Sequence, residues 1–207
     1  MPVTNILISG TGGQGIVLAG RIIASVAFRS GYDVKESEIH GMAQRGGAVV
    51  AHIRFGDIVY SPHIPIGKAD IMVALEELEA LRYLHYLKNF GLVILNKKKI
   101  LPSNARQEDY PENVEVQIKL KGFSVKVIEA EKIAKQLGNP KVENSVILGV
   151  LSEYLPFKEN IWQEVISQMV PQKTVDINIK AFNEGRRLAE QYELLEQANR
   201  DITKGET

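Results

Sequence analysis

The chain has 207 residues, 44% of them hydrophobic, with 25 Lys plus Arg against 25 Asp plus Glu, so it can bury one substantial core but carries no field to attract nucleic acid or an anionic membrane. No apolar run approaches the ~18 residues needed to span a bilayer, and Met1-Pro2-Val3-Thr4 lacks a charged leader, so a cytoplasmic protein is expected. With no cysteine in the sequence, disulfides, thiol nucleophiles and thiolate-held iron–sulfur clusters are excluded.

The apolar run Asn5-Ile6-Leu7-Ile8-Ser9 enters Gly10-Thr11-Gly12-Gly13-Gln14-Gly15, and Ile16 to Phe28 then has helical spacing, which predicts strand, glycine turn and helix. Gly31 ends the helix, and Tyr32 to Ile39 reads as a second strand completing a βαβ unit with a right-handed crossover. Residues 40–47 form a polar connector. Ala48 to Phe55 and Ile58 to Tyr60 flank Gly56-Asp57 as a hairpin-like pair, followed by the rigid loop Ser61-Pro62-His63-Ile64-Pro65. Asp70 to Leu75 is a strand, Glu76 to Leu87 a helix and Gly91 to Asn96 a strand. Lys97 to Asn113 is a charged excursion, and Val125 to Ala130 with Glu131 to Leu137 adds a strand and a helix. Apolar spacing predicts helices over Glu143 to Leu155, Ile161 to Met169 and Ile177 to Ala198, ahead of a polar end from Asp201. The alternation predicts an α/β, Rossmann-like three-layer fold with a mixed, mostly parallel sheet. One domain over 1–207 is expected, with C-terminal helices from about residue 143.

Gly10, Gly12 and Gly15 satisfy G-x-G-x-x-G, and Gly13 extends the run. Such glycines permit a tight turn, close approach by a ligand and close helix–strand packing. The helix N-terminus beyond them favours an anion, and Gln14 adds a neutral amide. A dinucleotide site also needs an acid at the end of the second strand, where Glu36 and Glu38 stand as candidates. The same glycines are equally suited to simple packing, so an anion site, an NAD site and a structural turn all remain open on this motif.

A second string, Glu38-Ile39-His40-Gly41-Met42-Ala43-Gln44-Arg45-Gly46-Gly47, narrows the choice. Together the two strings resemble the gamma-type domain of 2-oxoacid:ferredoxin oxidoreductases. The similarity continues through Val49 to Phe55, Tyr60-Ser61-Pro62 and Ala69 to Leu84, in the manner of the small beta-type subunit of the indolepyruvate branch. The resemblance implies oxidative decarboxylation of a 2-oxoacid to its acyl-coenzyme A, with electrons passed to ferredoxin. Thiamine diphosphate, magnesium and iron–sulfur clusters are then expected on a larger partner subunit, because no G-D-G…N-N arrangement occurs here and the sequence has no cysteine. This chain would bind no cofactor tightly, and coenzyme A is the ligand its motifs would contact. Pyruvate and 2-oxoglutarate are alternative substrates; a stand-alone NAD(P)-dependent oxidoreductase and a purely structural assembly subunit are alternative functions.

The residues offered for coenzyme A are Gly10, Gly12, Gly13, Gln14, Gly15, Gln44 and Arg45, the last a planar cationic fork for phosphate or carboxylate. No residue of this chain is expected to be catalytic. Arg45 could instead pair with Glu38, and His40 could cap a backbone group. The spacing of His40, His52, His63 and His85 matches no compact metal motif, so no metal is expected. Ser9 and Ser37 lack a His/Asp constellation. Glu76, Glu77 and Glu79 read as a solvated helix start. Lys97-Lys98-Lys99 reads as a solvated turn, with attraction of an anionic partner as the alternative.

Overall fold

The computed structural model describes residues 2–41, 46–102 and 105–205, with side chains described through residue 194. Its first strand, β1 (Thr4–Thr11), is buried at its last six positions. Such a continuous apolar strand needs cover on both faces. Helix α1 (Ile16–Arg29) follows the glycine turn, burying Ile16, Ala19, Ile22, Ile23 and Val26 on one stripe. The remaining strands are β2 (Asp33–His40), β3 (Ala48–Gly56), β4 (Ala69–Ala74), β5 (Leu87–Asn96) and β6 (Ser124–Ile128). They form one sheet in the order β2-β3-β1-β4-β5-β6. The pairs β1–β4, β4–β5 and β5–β6 are parallel, whereas β3 is antiparallel to both β1 and β2. The sheet is therefore mixed and mostly parallel, as expected.

Helices α2 (Glu77–Tyr83) and α3 (Val114–Leu120) cover one face, where Leu7, Val50, Met72, Val93 and Leu95 meet Ala80, Val114 and Ile118. The other face lies under α1, α4 (Ala130–Gln136), α5 (Glu143–Ser152), α6 (Glu159–Met169) and α7 (Val175–Gly205). Helices α5 and α7 cross at two glycines. A Cβ on Gly149 would lie 2.0 Å from the Phe182 carbonyl oxygen, and one on Gly185 2.0 Å from that of Val146. Glycine there lets the two backbones touch.

Three expectations are corrected. Strand β2 does not pair with β1, because β3 lies between them. The residues explain the order: Ala48 to Phe55 is nearly all buried and suits the interior, while β2 carries Lys35, Glu38 and His40 and suits an edge. Ile58 to Tyr60 forms no strand. Side chains take the backbone partners a strand would need: Asp33 accepts the Val59 N–H at 2.7 Å, and Arg54 donates to the Ser61 and His63 carbonyls at 2.8 and 3.1 Å. Finally, α7 continues to Gly205 through the supposed polar end, and α3, whose Val114 and Ile118 make a single buried contact stripe, was not foreseen.

Candidate functional site

Helix α1 follows β1 onto one face and α2 follows β4 onto the other, so the carboxyl ends of β1 and β4 border a topological switch point, the usual ligand crevice of such sheets. Beyond Thr11 the chain reverses through Gly13 (φ 97°) and Gly15 (φ 75°), left-handed conformations that L side chains resist. Gly10 serves packing: a Cβ there would sit 2.7 Å from Gln14 Oε1 and 3.1 Å from Leu75 Cβ.

Gln14 fills the crevice from within the chain. Its Oε1 accepts from the Thr11 N–H at 2.7 Å and the Thr11 hydroxyl at 3.1 Å, and its Nε2 donates to the Leu75 carbonyl at 2.9 Å. Asn96 extends the seam, donating to the Leu75 carbonyl at 3.3 Å and accepting from the Ala130 N–H at 3.2 Å. Asn144 approaches from α5 and donates to the Gln14 carbonyl at 2.8 Å. The carboxamide of Gln14 thus ties β1 to β4, and what the turn presents outward is its backbone. Gly12, Gly13 and Gly15 line a cavity of about 600 Å³ with Ile16, Val17, His40 and Gly41. The first N–H groups of α1 have no intrahelical acceptor and carry the positive end of its dipole. An anion is the ligand that this arrangement suits.

The structure brings the second motif to the first. Gly12 donates its N–H to the Gly47 carbonyl at 2.8 Å, and Gly41 donates to the Ala48 carbonyl at 2.7 Å. Both ends of the loop bearing Gln44 and Arg45 are therefore anchored beside the glycine turn. Gln44 and Arg45 themselves lie outside the described residues. Glu38, the alternative partner for Arg45, meets His40 at 3.2 Å. The dinucleotide pattern is not reproduced, because β3 separates β2 from β1 and puts Glu36 and Glu38 about two strand spacings, roughly 10 Å, from the strand that carries the glycines. Glu36 instead packs under α1, 2.8 Å from where a Cβ on Gly20 would sit, and burial raises its pKa.

At the end of β4 the three acids expected in solvent are buried: Glu76 is 0%, Glu77 7% and Glu79 3% exposed. The helix start turns inward because α2 must cover the sheet within two turns. Glu76 accepts from the Glu79 N–H at 2.9 Å, the Ile100 N–H at 3.0 Å and the Tyr110 hydroxyl. Tyr110 in turn accepts the Leu78 N–H at 3.1 Å, and burial beside Glu76 raises its phenol well above the ordinary value. Arg82 reaches Glu79 at 3.1 Å, yet burial keeps that carboxyl's pKa raised. Lys98 pairs with Glu143 at 2.8 Å, Lys97 with Glu129 at 3.7 Å, and Lys99 lies 5.5 Å over the Tyr110 ring. These lysines stitch the excursion to the body. His52, on β3, is 1% exposed. Its Nδ1 accepts the Ile64 N–H at 3.2 Å and its pKa is lowered to about 4, first by burial and then by His63 and Arg54.

Asn144, Asn96 and Tyr110 carry no signal in the sequence, where Glu76 reads only as part of a solvated helix start. Each acts on a partner 21 or more residues away, and no local spacing marks such a contact. Among the described residues no group of three or more His, Asp or Glu gathers as a metal site, and no helix is long and apolar enough to cross a membrane.

Comparison with known proteins agrees along nearly the whole chain. A family model described as pyruvate ferredoxin/flavodoxin oxidoreductase matches residues 5–188. The chain is 41% identical over 194 residues to the indolepyruvate oxidoreductase subunit IorB of Thermococcus kodakarensis, covering 90% of this chain and 96% of that protein. It is 43% identical over 187 residues to the IorB subunit of Archaeoglobus fulgidus, covering 87% and 92%. Among solved structures, the keto/oxoacid ferredoxin oxidoreductase gamma subunit of Geobacter sulfurreducens superposes with a TM-score of 0.70 at 25% identity, over 91% of this chain and 99% of that one. The 2-oxoglutarate:ferredoxin oxidoreductase of Magnetococcus marinus shares the fold, with a TM-score of 0.72 at 23% identity over 92% of this chain and 32% of its own. The sheet order, the paired glycine motifs and these similarities place the chain in the pyruvate ferredoxin/flavodoxin oxidoreductase family.

Proposed function

We propose that this chain is the small, non-thiamine-binding subunit of an indolepyruvate-type 2-oxoacid:ferredoxin oxidoreductase. The observation that carries the reading is 41% identity to an indolepyruvate oxidoreductase subunit over 96% of that subunit's length. The assembled reaction converts an aryl 2-oxoacid and coenzyme A to acyl-coenzyme A and carbon dioxide, and passes two electrons to ferredoxin. Thiamine diphosphate with its magnesium supplies the decarboxylation chemistry and iron–sulfur clusters carry the electrons. Both are assigned to the larger partner, since a chain without cysteine lacks the thiolates that hold clusters.

This chain's part is to shape one wall of the acyl-transfer site. Gly13 and Gly15 offer backbone N–H groups at the start of α1 to a phosphate of coenzyme A, Gly12 lines the same cavity while its N–H holds Gly47, and Gly10 and Gln14 hold the turn's shape. Gln44 and Arg45, on the loop anchored through Gly47, supply a hydrogen bond and a cationic fork to the same ligand. Residues 1–207 work as one unit in this role.

The test is 2-oxoacid-dependent reduction of ferredoxin or a viologen by this chain, by its large partner, and by the two co-expressed. Activity is expected only from the co-expressed pair, with indolepyruvate preferred over pyruvate and 2-oxoglutarate. Reduction by this chain alone, or saturable NAD binding to it, overturns the reading. A preference for another 2-oxoacid corrects the substrate alone.

A further inference from the structure

Asn144 lies 130 positions from Gln14 in sequence, yet its carboxamide donates to the Gln14 carbonyl at 2.8 Å and to the Gly15 carbonyl at 3.4 Å. A trans peptide unit is planar, so its C=O and its N–H point in opposite directions. Holding the Gln14 carbonyl toward α5 therefore turns the Gly15 N–H away from α5. The Gly15 carbonyl is already held by the Ala19 N–H of α1 at 3.0 Å, so the peptide that Asn144 orients is the one joining Gln14 to Gly15. Gly15 and Ile16 both line the 600 Å³ cavity, and Asn144 does not. The carboxamide thus bonds the turn without lining the cavity.

The fit between the two residues is close. A Cβ on Gly15 would sit 2.7 Å from Asn144 Nδ2, so glycine at 15 makes room for the amide as well as for the φ of 75°. Gln14 braces the other side of the turn through Thr11 and Leu75. We infer that Asn144 is a positioning residue, aiming the N–H group of Gly15 at a phosphate of the acyl acceptor.

This inference rests on the reading that the turn meets coenzyme A, and the experiment separates the two. Complexes of the large partner with wild-type, Asn144→Asp and Asn144→Ala chains are compared with coenzyme A and with pantetheine, the same thiol without phosphates. Aspartate keeps the shape but turns a donor into an acceptor facing two carbonyls. Both variants are expected to raise KM for coenzyme A roughly tenfold, the loss for misaligning one charge-assisted hydrogen bond, with kcat, the 2-oxoacid KM and the pantetheine kcat/KM within about twofold. An assembled variant with unchanged coenzyme A KM overturns the inference. So does an equal loss with both thiols, or failure of both variants to assemble, because either makes Asn144 a packing residue only. If the wild-type complex uses pantetheine as well as coenzyme A, the underlying reading fails instead, since no phosphate contact exists to be aimed.

Discussion

At the scale of single residues, the glycines of the turn divide by what surrounds them. Gly13 has a left-handed φ of 97° and open space where a side chain would go, whereas Gly15 has a φ of 75° and Asn144 within 2.7 Å. Gly13→Ala is expected to cost about 1 kcal/mol of backbone strain, and Gly15→Ala more, because strain adds to displacement of the amide. Urea unfolding of the two variants measures the gap, and equal losses would refute the packing role of Asn144 against Gly15. His52 sets a pH dependence. Its folded pKa of about 4 lies below the ordinary 6.5, so between those values the unfolded chain binds the extra proton. Stability from keeping His52 neutral is complete above about pH 6.5 and is lost as pH falls toward 4, by up to roughly 3 kcal/mol. The raised carboxyls of Glu36, Glu77 and Glu79 act in the opposite sense over acid pH. The informative quantity is therefore the difference between wild type and His52→Gln. The variant should lose less stability between pH 7 and pH 5, and parallel pH profiles would contradict the assignment.

At the scale of elements, two contacts hold pieces that local sequence does not. Tyr110 is the clasp of the excursion after β5: its hydroxyl donates to Glu76 and receives the Leu78 N–H. Tyr110→Phe keeps the ring under Lys99 but removes one of three donors to buried Glu76 and the acceptor of the Leu78 N–H, and should cost about 1–3 kcal/mol. Hydrogen exchange should accelerate within residues 97–113 more than in the strands; uniform acceleration would mean that the clasp belongs to the global core. The α5–α7 crossing depends on Gly149 and Gly185, where an added Cβ would lie only 2.0 Å from a backbone oxygen of the facing helix. Gly149→Ala must push two helices apart and is expected to cost at least about 2 kcal/mol, read as a drop in Tm of several degrees. Much of this architecture was legible from sequence. The strand-turn-helix at residues 5–28, the strands near 48–55, 70–75, 91–96 and 125–130, and the helices after 143 follow from apolar periodicity and glycine placement. The pairing of β2 with β3, the loop at 58–60 and helix α3 were not, because each is decided by a contact with a distant segment.

At the scale of the whole molecule, the crest of the sheet is where both glycine motifs converge. Residues 10–15 are separated from residues 41–47 by a helix and an edge strand, and the Gly12 to Gly47 hydrogen bond closes that gap. The sequence by itself determined the chain's class: the absence of cysteine bars it from holding clusters by thiolate, the G-x-G-x-x-G turn and the 38–47 string together point to its family, and the hydrophobic periods set an α/β sheet. Those properties are local, carried by residues near one another along the chain. Only the tertiary structure decided that β3 stands between β1 and β2, that Glu76 is buried and clasped, that Gln14 spends its amide on the chain itself, and that Asn144 backs the turn. Each of these depends on which distant segment fills the space beside a residue. Packing and hydrogen-bond satisfaction settle that choice once the chain has folded, and no spacing along the sequence records it.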